Sequence, residues 1–274
     1  MKKILHLSDI HFGRTNPALI ESLLFSCKTL HPDLVVISGD LTQRATRREF
    51  AQAQEFITTL RLYGIVVFAV PGNHDIPPIY SPWKRAFKPF ERYETLIGPL
   101  VKNQYKDDEI ALFGISTVRA SRFKGGRMSS KNIYDARGWF EGVQNGRVRL
   151  VITHHPLDLP QNHRGYKLIQ KAKGAVSALA ELKVDLYLSG HYHQSSVVSI
   201  LERYCDAEHG ALSIQAGTVS NRNRGELQSF NFLEIEKDYI KISVFVWNVT
   251  TKKFGPASAA NFHFERNQWV SVNE

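Results

Sequence analysis

The strongest constraint on the fold is a repeated alternation of short apolar segments with longer stretches of helical periodicity. In the first third of the chain the apolar segments are residues 4–7, 34–37 and 65–70, and the helical stretches between them are residues 18–30 and 47–62. Buried parallel strands that are joined by right-handed helical crossovers produce this pattern. The sequence therefore predicts an α/β fold whose first strands form a parallel sheet.

The rest of the chain continues this alternation and then changes character. Residues 111–116, 148–153 and 184–188 are predicted strands, and residues 171–182 are a predicted helix. Three later segments alternate polar and apolar residues without a long helix between them, at residues 211–214, 229–236 and 240–247. We expect these segments to be antiparallel additions to a second sheet. Because the chain shows no repeat and no flexible linker, residues 1–274 are predicted to form one domain.

Five of the predicted strands end at residues whose side chains can bind a metal ion. In chain order these residues are Asp9 and His11, Asp40, Asn73 and His74, His154, and His191 and His193. The carboxyl ends of strands line the ligand crevice of an open α/β sheet, so we expect these side chains to converge. The other histidines do not follow this pattern and are predicted to be structural or exposed: His6, His31, His163, His209 and His263.

The chemistry of this set points to divalent metal ions. Carboxylate, amide and imidazole ligands without thiolate suit Mn²⁺, Fe²⁺ or Zn²⁺. This set holds more potential ligands than one tetrahedral ion can use, and it suits two ions that share a carboxylate. Two such ions can hold a bridging hydroxide and clamp a phosphoryl group. The alternative is that turn residues and core histidines merely recur at strand ends, which does not explain their ordered placement.

Composition limits the partners and the cellular setting. Lys and Arg number 35 against 26 Asp and Glu, which gives a net charge of +9 and favours anionic partners. We expect no stable nucleic-acid complex, because no basic strand motif studded with aromatic residues is present.

The two cysteines, Cys27 and Cys205, are too few and too far apart for a disulfide framework. With no apolar run of membrane-spanning length and no signal peptide, we expect a cytoplasmic protein.

The ordered motifs resemble those of the calcineurin-like metallophosphoesterases. They stand here as Asp9-Ile10-His11, Gly39-Asp40, Gly72-Asn73-His74-Asp75, His154 and Gly190-His191-Tyr192-His193. The resemblance spans at least residues 4–193. It implies a four-layer αββα fold, in which a two-sheet mixed β-sandwich is flanked by helices.

The resemblance also implies a role for each residue of the motifs. The first ion would be held by Asp9, His11, Asp40 and His193, and the second by Asp40, Asn73, His154 and His191, with Asp40 bridging. His74 would contact the phosphate together with Asn73 and would protonate the leaving group, while the Asp75 carboxylate would orient the His74 imidazole. Arg14 and Arg44, which follow two of the metal motifs, are further candidate phosphate contacts.

Two substrate classes remain open. The runs Gly39-Asp40-Leu41-Thr42 and His154-His155-Pro156 resemble bacterial class III cyclic-nucleotide phosphodiesterases. The first expectation is therefore a phosphodiesterase that cleaves small anionic phosphodiesters, such as cyclic nucleotides, by means of a metal-bridging hydroxide. The alternative is a diphosphatase of lipid A synthesis that cleaves the pyrophosphate bond of UDP-diacylglucosamine at the membrane surface. A non-catalytic scaffold is a third reading, which the intact ligand set disfavours.

Two segments, residues 76–102 and 119–146, could form a cap. Their apolar side chains include Trp83, Phe87, Phe90, Tyr93, Phe123, Met128 and Tyr134, and their basic ones include Lys84, Arg85, Lys88, Arg92, Arg119, Arg122, Lys124 and Arg127. Such a cap could bury acyl chains beside acidic headgroups. We favour the alternative that the aromatic rings pack inward, so peripheral membrane contact is possible but not favoured. The sequence leaves the oligomeric state open.

Overall fold

A computed structural model describes residues 1–121, 125–160, 166–222 and 225–272 of the chain. Its first half contains β1 (Lys2–Leu7), α1 (Pro17–Leu30), β2 (Leu34–Ile37), α2 (Arg47–Leu62), β3 (Val66–Ala69), α3 (Pro82–Phe87), α4 (Glu91–Leu96), β4 (Gln104–Lys106), β5 (Ile110–Ile115) and α5 (Ser130–Glu141). Its second half contains β6 (Val148–Thr153), α6 (Ala172–Glu181), β7 (Leu186–Ser189), β8 (Ser196–Ser199), β9 (Leu212–Gln215), β10 (Ser229–Ile235), β11 (Tyr239–Asn248), β12 (Lys253–Glu265) and β13 (Gln268–Val272). Two short 3₁₀ turns lie at Gly98–Leu100 and Ile200–Glu202.

The strands form two mixed sheets. The first has the order β13-β12-β11-β10-β1-β2-β3, with β1, β2 and β3 parallel and the C-terminal strands antiparallel. The second has the order β4-β5-β6-β7-β9-β8, with a parallel centre and antiparallel edges. The predicted α/β sandwich is thus confirmed.

The placement of the C-terminal strands was predicted wrongly. We expected all three late segments to be antiparallel strands of the second sheet. Strand β9 does lie in that sheet, antiparallel to β8 but also parallel to β7, whereas β10 and β11 extend the first sheet. The reason is that β1 offers an edge opposite β2, where Lys2 pairs with Ile235 and His6 pairs with Asn231. Alternation predicts which faces of a strand are buried, but it does not identify the neighbouring strand.

Successive side chains of a strand point to opposite faces of its sheet, and both faces are buried here. In β2, Leu34 and Val36 face the core between the sheets, while Val35 and Ile37 face the helices α1 and α2. A third core lies between the second sheet and the helices α5 and α6. The outer layers therefore cover both sheets, and the polar residues that follow the strands lie beyond the ends of these cores.

The candidate cap segments are divided between the core and the surface. Tyr93 and Met128 are buried, as the inward-packing expectation requires. Trp83 and Phe87 contradict that expectation, because they are 77% and 74% exposed and their rings stack 5.9 Å apart. Tyr134 is also exposed, and Phe123 lies outside the described residues. In the described part of the chain, no helix combines the length and the apolar character needed to cross a membrane.

Candidate metal centre

The motif residues lie in loops at the carboxyl ends of the strands, where the chain adopts strained turns. Positive φ angles occur at Asp9 (52°), His11 (49°), Asp40 (52°), His191 (78°) and His193 (65°). The left-handed region is costly for residues other than glycine, and residues held there cluster at functional sites. The turns aim side chains from both sheets at one another across the end of the sandwich.

The first cluster consists of Asp9, His11, Asp40 and His193. Nε2 of His193 lies 3.1 Å from Oδ1 of Asp9 and 3.3 Å from Nε2 of His11. Nε2 of His11 lies 3.6 Å from Oδ1 of Asp9 and 3.8 Å from Oδ2 of Asp40. All four residues are buried. The structure thus brings the whole predicted first ligand set together.

The second cluster consists of Asp40, Asn73, His154 and His191. Nε2 of His154 lies 3.4 Å from Oδ2 of Asp40, 3.1 Å from Oδ1 of Asn73 and 3.2 Å from Nδ1 of His191. These residues are also buried. Because Oδ2 of Asp40 approaches histidines of both clusters, the structure places this carboxylate between the two predicted ligand sets.

Backbone carbonyl groups select the tautomer of three of the histidines. Nδ1 of His11 faces the Thr42 carbonyl oxygen at 3.2 Å, Nδ1 of His154 faces that of Ser38 at 2.9 Å, and Nδ1 of His193 contacts that of Arg222. A carbonyl can only accept, so each Nδ1 carries the hydrogen. Each Nε2 is thereby directed into the clusters with its lone pair available for an ion.

The donor set fits divalent ions. Among the described residues, the buried Oδ1 of Asp9 has no hydrogen-bond donor. In the neutral form of His154, whose Nδ1 holds the hydrogen, Nε2 and the Oδ1 of Asn73 are two acceptors only 3.1 Å apart. A buried acceptor that lacks a donor is costly, and an ion between such atoms would satisfy them. Groups able to hold an ion include Asp9, His11 and His193, and also Asp9, Asp40 and His154.

Electrostatics within the clusters keep both carboxylates ionised. Burial opposes the charged form of Asp40, but the neighbouring His154 and His74 outweigh it and hold its pKa far below the usual range. Burial likewise opposes ionisation of Asp9, and His193 with His11 lowers its pKa. Despite its own burial, His154 has a pKa raised to about 9 by Asp40. An ion that binds there would displace that proton, so metal affinity should rise with pH.

Close backbone packing explains two of the motif glycines. A Cβ atom at Gly72 would lie 2.2 Å from the Asp40 backbone nitrogen and 2.1 Å from its Oδ1. At Gly190 it would lie 1.7 Å from the Ser8 Oγ. Any side chain at these positions would push the ligand loops apart.

His74 lies at the edge of the clusters and is half-buried. Its Nδ1 is 2.8 Å from the Gln43 carbonyl oxygen, and its ring meets the His11 ring edge-on at 4.9 Å. Burial lowers the pKa of His74, and His11 and Arg222 act in the same direction, while Asp40 opposes them. The ring is therefore held by the main chain, with Nε2 directed away from that anchor.

The expected contact between Asp75 and the His74 ring is replaced by a different network. The Asp75 carboxylate accepts hydrogen bonds from the backbone of Gly72 at 2.9 Å, Leu41 at 3.2 Å and Thr42 at 2.8 Å, and from the Thr42 hydroxyl at 2.9 Å. Burial and the nearby Asp40 raise the pKa of Asp75 to about 6 against these bonds. Asp75 thus ties the Asp40 loop to the Gly72 loop. The His74 imidazole lies against the Gln43 carbonyl oxygen, and not against the Asp75 carboxylate as we predicted.

The arginines at the site differ from those chosen from the sequence. Arg14 and Arg44 are both exposed, and their role as phosphate contacts remains a prediction. Arg222, which we did not single out, has Nη1 3.2 Å from Nε2 of His74 and 3.4 Å from Nε2 of His11. The sequence feature that could have identified Arg222 is its position after a predicted strand, in a loop that also contains Thr218 and Ser220.

The remaining histidines are structural or exposed where they are described. His6 is buried against the Ser38 hydroxyl at 3.0 Å, and His209 is buried against Asp185 at 2.9 Å. His31 and His263 are exposed, and His163 lies outside the described residues. His155, to which we gave no role, is buried with its ring 4.4 Å from that of His191.

Comparison with known proteins agrees with this geometry. A sequence profile of calcineurin-like phosphoesterases matches residues 2–195, more than half of the chain. A protein of Arcobacter nitrofigilis described as a probable glycerophosphodiester phosphodiesterase is 25% identical over 207 residues, which span 70% of this chain and 72% of that protein.

Solved structures share the fold. A dimetal phosphatase from Danio rerio superposes with a TM-score of 0.65 at 14% identity, covering 96% of this chain and 99% of the other. A purple acid phosphatase from yellow lupin seeds superposes with a TM-score of 0.66 at 12% identity, covering 95% and 53%. The profile match over both clusters establishes what the motifs indicated: the chain belongs to the calcineurin-like phosphoesterase family and is a metal-dependent phosphoester hydrolase.

Proposed function

We propose that the protein hydrolyses small phosphodiesters with two divalent metal ions. The observation that carries this proposal is the position of Asp40, whose Oδ2 lies 3.8 Å from Nε2 of His11 and 3.4 Å from Nε2 of His154. One carboxylate between two sets of nitrogen ligands suits a pair of ions that share it. The family relationship supports the same arrangement.

The residues divide into ligands and groups that act on the substrate. Asp9, His11, Asp40 and His193 would hold one ion, and Asp40, Asn73, His154 and His191 the other. When bound, such ions act as Lewis acids toward water and phosphoryl oxygens, and Mn²⁺, Fe²⁺ and Zn²⁺ all suit these ligands. His74 is half-buried beside both sets and is the group best placed to move a proton.

The proposed role of His74 follows from its anchor. The Gln43 carbonyl oxygen accepts the hydrogen on Nδ1 at 2.8 Å, and it does so whether or not Nε2 is protonated. A protonated Nε2 can then donate to the oxygen that leaves phosphorus. Lowering the pKa of this imidazole by burial makes it a stronger acid, which favours transfer to an alkoxide.

Turnover on a matched panel tests the proposal. The protein is reconstituted with Mn²⁺ or Zn²⁺ and assayed with 3′,5′-cyclic AMP, 2′,3′-cyclic AMP, glycerophosphoethanolamine, bis(4-nitrophenyl) phosphate and 4-nitrophenyl phosphate. We expect a higher kcat/KM on at least one diester than on the monoester, and none of this activity in Asp40→Asn. Preference for the monoester, or equal turnover by Asp40→Asn, would contradict the proposal. The relative from Arcobacter nitrofigilis is the reason for including the glycerophosphodiester.

One surface feature favours a second candidate, cleavage of the pyrophosphate bond in an acylated nucleotide sugar. A groove of about 690 Å³ is lined by Pro77, two residues after Asp75, and by Trp83, Phe87, Lys84, Arg92, and the ion pair of Lys88 with Glu91. The exposed, stacked Trp83 and Phe87 rings offer apolar surface to an acyl chain. The surrounding basic residues complement an acidic headgroup or the surface of an anionic membrane.

Acyl-chain dependence separates the two candidates. If the groove takes lipid, turnover of UDP-linked substrates should rise with acyl length, since burial contributes about 0.8 kcal/mol per methylene. That gain should vanish in the Trp83→Ser, Phe87→Ser double variant. The matched control is Phe25→Ser with Leu62→Ser, which removes two exposed apolar side chains from α1 and α2. Turnover independent of acyl length in every variant would leave the small-diester proposal as the account of the site.

A further inference from the structure

Arg222 lies in a loop that is fastened directly to the first metal motif. The buried Thr218 hydroxyl donates to the Asp9 carbonyl oxygen at 2.7 Å and lies 2.8 Å from the Ser220 hydroxyl. The backbone nitrogen of Arg222 donates to that Ser220 oxygen at 3.3 Å, and its carbonyl accepts from Nδ1 of His193. The loop 216–222 is therefore positioned by contacts on both sides of the first cluster.

The Arg222 side chain crosses from the second sheet toward loops of the first. Its Nη1 lies 3.2 Å from Nε2 of His74, 3.3 Å from Oε1 of Gln43 and 3.4 Å from Nε2 of His11. These three groups are neutral acceptors, and the side chain is half-buried. The guanidinium thus lies beside the proposed proton donor and beside a proposed ligand of the first ion.

This position suits recognition of an anion. A guanidinium stays protonated at all working pH values and presents its donors as a planar fork that matches two phosphate oxygens. Hydrogen bonds between ionised partners are also stronger than those to neutral acceptors. A phosphate group at the mouth of the clusters would therefore draw this fork away from the imidazole of His74 and from the amide of Gln43.

We propose that Arg222 binds a non-bridging oxygen of the phosphodiester and holds the leaving oxygen beside Nε2 of His74. This inference rests on the proposed function and deepens it, because it names a group of this chain that touches the substrate. A diester carries one negative charge, and charge increases at its non-bridging oxygens during attack, so a fixed cation there stabilises the transition state.

Inorganic phosphate is the probe for the first test, which does not depend on turnover. Titration calorimetry measures its affinity for metal-loaded wild type, Arg222→Gln, Arg222→Lys and Arg61→Gln, with metal content measured on the same samples. Arg61 is an exposed arginine at the end of α2, so Arg61→Gln controls for the loss of one charge. We expect Arg222→Gln to keep both ions and to bind phosphate at least about tenfold more weakly. Arg222→Lys should recover part of that loss, and Arg61→Gln should match wild type.

A pair of nitrophenyl substrates that differ in charge supplies the second test. Bis(4-nitrophenyl) phosphate has an anionic oxygen for the fork, whereas the triester diethyl 4-nitrophenyl phosphate has none. Arg222→Gln should lose more kcat/KM on the diester than on the triester. Equal losses on the two, or wild-type phosphate affinity in Arg222→Gln, would overturn the assignment.

The outcomes separate this inference from the function on which it rests. Loss of metal from Arg222→Gln would make the side chain a support of the metal site and would also overturn the assignment. If wild type binds phosphate through Arg222 but cleaves no diester, the proposed function fails while the anion contact stands. If wild type cleaves diesters and Arg222→Gln does so equally well, only the inference fails.

Discussion

Nδ1 of His74 lies 2.8 Å from the carbonyl oxygen of Gln43, so the main chain rather than a carboxylate holds the imidazole beside the metal clusters. The carbonyl carries no charge that titrates. The protonation of Nε2 therefore responds to burial and to the charges of Asp40, His11 and Arg222. This geometry separates the proposed proton donor from the residues that would hold the ions, and the two roles can be removed one at a time.

His74→Ala should lose turnover and keep its metal ions. Removing a general acid costs about 10²–10⁴ in rate. The loss should be smaller for nitrophenolate leaving groups, which need little protonation, than for ribose or glycerol alkoxides. Rates on a leaving-group series, with metal analysis of the same preparation, provide the measurement. An equal loss across the series would assign His74 to phosphate binding instead.

Wild type should bind two transition-metal ions per chain, and Asp40→Asn should bind fewer ions than Asn73→Ala. The reason is that the Asp40 carboxylate approaches histidines of both clusters. Asn73→Ala removes a ligand of the second cluster only and should retain the first ion better. Elemental analysis after reconstitution and desalting measures the stoichiometry. One ion or none in wild type would refute a two-ion mechanism.

Asp75→Asn should destabilise the protein more than His74→Ala does. The Asp75 carboxylate accepts from Gly72, from Leu41 and twice from Thr42, and an amide would direct its own hydrogens at some of these donors. We expect a loss of about 2–4 kcal/mol in the free energy of unfolding. Chemical denaturation of the metal-free proteins makes the comparison. A near-neutral Asp75→Asn would show that this network does not hold the two loops together.

Asp107, at the end of the sheets far from the metal clusters, should stabilise the fold near neutral pH and lose this effect in acid. Burial opposes its ionisation, but Lys2 at 2.8 Å, Tyr105 and two backbone groups lower its pKa from 3.8 to about 2. A depressed carboxyl pKa stabilises the fold above the unfolded value and loses that effect as pH falls through the folded value. Asp107→Asn should therefore be less stable than wild type above pH 3.8, and the difference should shrink toward pH 2. Unfolding curves across this range measure it, and a constant difference would argue against ionisation as the cause.

The residues that were predictable from the sequence share a local cause. Asp9, Asp40 and His191 each follow a strand within a few positions, so a strand pattern alone brings them to one end of the sheets. The position of Arg222 depends instead on the hydrogen bond from the Thr218 hydroxyl to the Asp9 carbonyl oxygen. These two residues are 209 positions apart in sequence, and no periodic pattern predicts such a contact. The hydrogen bonds from Leu41 and Thr42 to the Asp75 carboxylate were not predicted for the same reason.

The surface was harder to predict than the core. Helix α3 has six residues, too few to show which way its rings point, and Trp83 and Phe87 face outward although Tyr93 of the next helix is buried. The guanidinium of Arg85 is part of the explanation. It is buried and donates to the carbonyl oxygens of Pro77 at 2.6 Å and Ala120 at 2.7 Å, and this turns the opposite face of α3 to solvent.

At five proposed metal ligands, the residue that best suits the backbone differs from the residue that can bind an ion. The backbone is left-handed at Asp9, His11, Asp40, His191 and His193. Glycine would adopt these angles at little steric cost, while the present side chains carry strain of order 1–3 kcal/mol each. Laboratory selection of the metal-free protein for heat resistance should therefore enrich glycine at these sites and erase the ligands. A thermostable variant of this enzyme would have to be selected with the ions present, so that their binding energy outweighs the relief of strain.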